Sequence, residues 1–80
     1  MRFYNSIYEA GVVPKDWKPV PGYTLKVPVT NRSLLTALRQ ELPGRWRKVY
    51  RRSASGIDVH CFEHESGKVF DVKIKITQEW

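Results

Sequence analysis

Apolar and polar positions alternate twice near the C-terminal end of the chain. Ile57, Val59 and Cys61 alternate with Asp58, His60 and Phe62, and Val72, Ile74 and Ile76 alternate with Asp71, Lys73 and Lys75. Glu65-Ser66-Gly67-Lys68 lies between the two runs. A period of two marks half-buried strands, and Ser66-Gly67 suits a two-residue hairpin turn. In that register Cys61 faces Val72, Val59 faces Ile74 and Ile57 faces Ile76. Asp58 then faces Lys75, His60 faces Lys73 and Phe62 faces Asp71. One face becomes apolar and the other a charged surface with complementary pairs, and a one-residue slip would lose both.

Upstream, Tyr23, Leu25, Val27 and Val29 alternate with Thr24, Lys26 and Pro28, which predicts a strand. Pro28 cannot donate to a ladder, so this strand belongs at an edge. Thr30-Asn31 offers an N-cap, and Leu34, Leu35, Leu38 and Leu42 follow at helical spacing until Pro43-Gly44 stops the helix. Residues 45–52 read as the next strand, with Ser53 to Gly56 as a loop. Residues 1–22 form an irregular Pro-rich arm. In it Ser6-Ile7-Tyr8-Glu9 has capping-box spacing, Gly11 can end a single turn, and Tyr4, Tyr8 and Trp17 are available to drape over the core. The expected fold class is α+β: a single small domain over 23–80 with strand, helix and three strands in order. One helix packs on the apolar face of a mostly antiparallel four-stranded sheet, and the arm wraps around it.

The chain has 80 residues, 41% of them hydrophobic and 12% aromatic, which suits a folded domain with a modest core. A lone cysteine excludes an internal disulfide and points to a reducing, cytoplasmic setting. The first residues lack the apolar run of a signal peptide, and no stretch approaches the ~18 apolar residues of a membrane span. The formal net charge of +6 points to polyanions, nucleic acid first and an anionic membrane surface second. The competing reading is a charge that only solubilises. Residues 45–52, Arg-Trp-Arg-Lys-Val-Tyr-Arg-Arg, carry positive charge and no acid.

His60-Cys61-Phe62-Glu63-His64 has the residue types of a metal site, but not the spacing. Neighbours on a strand point to opposite faces, and His60 and His64 lie about 13 Å apart at ~3.3 Å per residue. A zinc site needs four converging ligands, so no metal and no cofactor is expected. Cys61, opposite Val72, reads as a small core residue.

The polar sheet face is the candidate site. It should carry Asp58, His60, Phe62 and His64 on one strand and Asp71, Lys73 and Lys75 on the next. The third strand adds either Arg45, Arg47 and Arg51, or Trp46, Lys48, Tyr50 and Arg52. A four-residue loop at Ser53 to Gly56 would set Arg52 against Ile57. Arg47 and Arg51 would then join His60, Trp46 and Tyr50 would turn to the apolar side, and Lys48 would have to snorkel. A histidine exchanges protons near neutral pH, and flanking cations can hold a phosphodiester. His60 is thus the candidate acid/base, with Arg45, Arg47, Arg51, Lys73 and Lys75 as phosphate contacts and Phe62 as a base-stacking surface. The competing reading makes His60 a surface residue in a charge-paired sheet.

Gly56-Ile57-Asp58-Val59-His60-Cys61-Phe62 through Ser66-Gly67-Lys68-Val69-Phe70-Asp71-Val72-Lys73, with the strand–helix–three-strand order, resembles small bacterial ribonuclease toxins over roughly residues 23–76. The likeness is to RelE-type toxins and colicin-type transfer-RNA nuclease domains. It implies metal-independent endoribonuclease activity, with His60 as the acid/base and Arg47, Arg51 and Lys73 at phosphate positions. RelE-type toxins have two helices before the meander, and this chain has room for one. Three functions are therefore expected in order: an RNA-binding protein using the polar face, a ribonuclease of toxin type, or a protein-interaction module using residues 3–23 or the edge strand at 23–29.

Overall fold

Two tight turns of the same chemistry, Ala54-Ser55-Gly56 and Glu65-Ser66-Gly67, set the sheet. A computed structural model of the chain describes residues 1–76. Its elements are β1 (Phe3–Tyr4), β2 (Pro19–Pro28), α1 (Arg32–Glu41), β3 (Trp46–Ser53), β4 (Ile57–His64) and β5 (Val69–Ile76). The strands form one sheet in the order β1-β5-β4-β3-β2, and every neighbouring pair is antiparallel. The fold is α+β with a single helix. The sheet has five strands rather than four, because Phe3 and Tyr4 in the arm pair with Phe70 and Val69. β2 opens at Pro19, earlier than Tyr23, with a register shift before Thr24.

Both turns have three residues. Gly56 N–H donates to Ser53 O at 3.1 Å and Gly67 N–H donates to His64 O at 2.9 Å. The third turn residue has positive φ in each, +82° at Gly56 and +98° at Gly67, as a type I turn closed by a left-handed residue requires. Ser53 is therefore part of β3 rather than the loop. Its Oγ receives Ile57 N–H at 3.2 Å and donates to Ile57 O at 3.0 Å. The four-residue loop expected from the sequence is one residue too long. In a strand pair that flips every side chain to the other face.

The second hairpin contains two offsets that cancel. Its three-residue turn sets Phe62 against Phe70 and Glu63 against Val69, so Phe62 does not face Asp71. A β-bulge between His60 and Phe62 then restores the expected register, with His60 facing Lys73, Val59 facing Ile74, Asp58 facing Lys75 and Ile57 facing Ile76. The extra residue is accommodated at Asp71, whose φ of +54° lies in a region that short polar side chains tolerate.

The sheet has one face covered by the arm and one covered in part by the helix. On one, the core of Val49, Val59, Cys61 and Val69 is closed by Ile7, Val13 and Trp17 from the arm. Trp17 donates its indole N–H to Ile57 O at 2.9 Å, and Tyr8 OH donates to Trp17 O at 2.6 Å. The single turn before it is held by Ser6 Oγ, which accepts from Glu9 N–H, and by Glu9 Oε2, which accepts from Asn5 N–H. The helix does not cover this face, contrary to expectation, because the arm occupies it. α1 sits over one end of the opposite face, where Trp46, Phe62, Phe70 and Phe3 cluster. Asn31 caps its start by accepting from Leu34 N–H, Leu38 is fully buried, and Leu42 O receives the Trp46 indole N–H at 3.0 Å. Among the described residues no helix is long and apolar enough to cross a membrane.

Candidate nucleic-acid interface

Because α1 covers only one end of its face, the other end stays open. The register makes this face a set of cross-strand rows. Val27, Lys48, Phe62 and Phe70 form the row beside the helix, and Leu25, Tyr50, His60 and Lys73 form the next. Arg52, Asp58 and Lys75 form the last. Tyr23 and Leu25 on β2 are 61% and 58% exposed. Large apolar side chains this open on one strand are the kind of surface that contacts a ligand.

His60 sits at the centre of the open rows. Its ring meets Tyr50 edge-on at 4.6 Å between centroids. Partial burial pushes its pKa below the usual histidine range, and the nearby Lys75, Lys48 and Arg52 charges push the same way against Asp58. Both influences favour the neutral imidazole. Among the described residues no protein hydrogen bond is made to its ring nitrogens, so they are available to a ligand. Asp58 is buried and takes a bidentate pair from Arg52, at 3.0 and 3.1 Å. Lys73 meets Asp71 at 3.4 Å. Lys48 lies 4.3 Å from the Phe62 ring and 5.8 Å from the Tyr50 ring, and burial lowers its pKa. Among the described residues Lys48 and Lys75 make no ion pair within 4 Å.

The structure divides the residues expected at the site. His60, Lys73 and Lys75 share the open face. Arg47 and Arg51 lie on the arm face instead, since the shorter β3–β4 loop inverts β3. Arg51 there joins Lys26 in holding Glu63, at 3.3 and 2.8 Å. Burial alone would raise the Glu63 pKa, but these two hydrogen bonds outweigh it and hold the carboxyl low. Arg45 precedes β3 and is exposed, with its backbone N–H on Glu65 Oε2 at 2.7 Å. Phe62 is on the His60 face but half-buried. It packs against Phe70 and carries the Lys48 ammonium, so its ring is not open for stacking. Lys48, Tyr50 and Arg52 take the places expected of Arg47 and Arg51. The repeated Ser-Gly ending of the two turns is the sequence signal that identifies them.

Cys61 is fully buried on the other face, and burial raises its thiol pKa, which keeps it unreactive. His64 is also buried, with Nε2 on Pro43 O at 2.9 Å and Nδ1 accepting from Ser66 N–H at 3.1 Å. Among the described residues no three His, Cys, Asp or Glu side chains converge as a metal set. Comparison of the chain with family models, curated proteins and solved structures gives no match.

Proposed function

We propose that the protein is a small basic RNA-directed binding protein that works through the open end of this sheet face. The observation that carries the reading is the row Leu25, Tyr50, His60 and Lys73, flanked by Lys48 and Lys75, two cations with no ion pair among the described residues. Unpaired lysines around an aromatic surface suit a phosphate chain with bases beside it. The lone buried cysteine fits a reducing, cytoplasmic setting.

Anisotropy of a labelled RNA titrated with protein in EDTA across a salt series tests this. Three phosphate contacts predict a log–log slope near −2 for a single strand, at about −0.7 per contact. The double variant Lys73→Ala, Lys75→Ala should flatten the slope by about 1.4 and weaken binding at low salt. Binding that ignores salt, or no binding at low salt, would discard the reading.

A second reading, a metal-independent ribonuclease, draws on the neutral His60 beside Lys73. A neutral imidazole can accept the proton of a ribose 2′-hydroxyl while the lysine faces the phosphate. In the same EDTA titration a time-dependent fall of anisotropy below the free-RNA value would favour it.

His60 also gives the binding a pH signature. Bound phosphate would offset the Lys48, Lys75 and Arg52 charges that depress its pKa, so binding should take up a proton. Affinity is then expected to rise as pH falls from about 7 toward 5, by up to about tenfold per unit of pKa restored. His60→Gln should remove that slope, and an unchanged slope would exclude His60 from the contact. For the free protein the sign is opposite. The folded pKa lies below the unfolded value near 6.5, so this contribution to folding is complete above about pH 6.5 and declines as pH drops.

A further inference from the structure

We infer that the depression between β2, β3 and β4 is a stacking subsite for an unpaired base of a single-stranded RNA, an inference that rests on the RNA-directed reading above. The depression is open, holds about 530 Å³, and is lined by Tyr23, Leu25, Tyr50, Arg52, Asp58 and His60. Two tyrosines and a neutral imidazole give it aromatic walls. Tyr23 is largely exposed and, among the described residues, packs on no other ring, in contrast to the aromatic cluster under the helix, where Phe3, Trp46, Phe62 and Phe70 occupy one another. Asp58 and Arg52 form a polar end, a paired carboxylate and guanidinium of the kind that meets the donors and acceptors on a base edge.

The occupant follows from charge and shape. Lys73 and Lys75 lie along β5, on the side of His60 and Asp58 away from the tyrosines. Bases would therefore lie over β2 and β3 and the phosphate chain over β5. The row from Leu25 to Lys73 spans four strands, or about 14 Å at the usual strand spacing. A duplex keeps its base faces inside the stack and cannot present one to Tyr50, whereas an unpaired strand can.

The test compares a labelled oligouridine with the same strand annealed to oligoadenine, by anisotropy at fixed low salt. The single strand should bind at least tenfold more tightly. Tyr23→Ala and Tyr50→Ala should each weaken single-strand binding by about five- to a hundredfold. Both should leave the salt slope and duplex binding unchanged, and Tyr50→Phe should keep most of the affinity. Tyr23 is 61% exposed, so its alanine variant tests the subsite without endangering the fold. Equal affinity for strand and duplex, or full single-strand affinity in Tyr23→Ala and Tyr50→Ala, would overturn the subsite and leave RNA binding standing. No binding of either probe would overturn both.

Discussion

Trp17→Ala is expected to unfold much of the protein at moderate temperature, although Trp17 lies in the irregular stretch of the arm between β1 and β2. The side chain is 4% exposed and belongs to the same core as Val49, Val59 and Cys61. Removing a buried tryptophan costs about 3–5 kcal/mol, as lost transfer energy plus the cavity left behind. A domain of this size has a total stability of about 4–12 kcal/mol, at 0.05–0.15 kcal/mol per residue. The melting temperature should therefore fall by on the order of 20 °C. Trp17→Phe separates packing from hydrogen bonding. It keeps a ring in the core but removes the N–H that donates to Ile57 O, and should cost about 1–2 kcal/mol. Tyr23→Ala, at an exposed position, should change stability by less than about 0.5 kcal/mol. Thermal melts followed by circular dichroism report all three. A Trp17→Ala protein that melts with its parent would mean that the arm is a loose cover and that the sheet is stable with that face bare.

That the arm closes the core explains what the sequence revealed and what it hid. Alternation in 57–60 and 73–76, the leucine spacing of the helix, its Asn31 cap and its Pro43-Gly44 stop are local signals, and each has a local cause. Which face a strand presents is not local, because it turns on the parity of a loop. Treating Ser53 as a loop residue places Arg47 and Arg51 beside His60, whereas its hydroxyl bonds to the backbone of Ile57 and extends β3 by one residue. Tyr50, Lys48 and Arg52 then replace them. The hairpin register at its open end matched for a different reason: a wrong turn length was offset by the bulge at Asp71, which no periodicity foretells. The placement of the helix was hidden for a third reason. Both faces of the sheet needed cover, the valine face and the aromatic face of Trp46, Phe62 and Phe70. Alternation alone does not say which one a helix takes and which one an arm takes.

Gly44→Ala is expected to disrupt the junction that joins the helix to the strands. A Cβ on Gly44 would stand 2.6 Å from His64 Nε2 and 2.9 Å from Glu65 Oε2. Its φ of +132° is also strained for any side chain. Neither neighbour yields without loss. His64 is buried, its ring lies edge-on to Trp46 at 5.0 Å, and both its nitrogens are engaged, Nε2 by Pro43 O and Nδ1 by Ser66. Since a carbonyl only accepts, Nε2 carries the proton and Nδ1 is the acceptor for Ser66 N–H. Pushing the ring away breaks the link between the end of α1 and the β4–β5 turn. The strain is worth about 1–3 kcal/mol, and each broken hydrogen bond adds about 0.5–1.5 kcal/mol. The sum approaches that of Trp17→Ala from a change of one methyl group. His64→Ala distinguishes steric conflict from loss of the link. In that background the Gly44→Ala penalty should shrink toward the backbone strain and the remaining contact with Glu65, and a double-mutant cycle on melting data would show a coupling of about 1–3 kcal/mol. If the two substitutions add without coupling, the close approach of Gly44 to His64 is not what holds this corner of the fold.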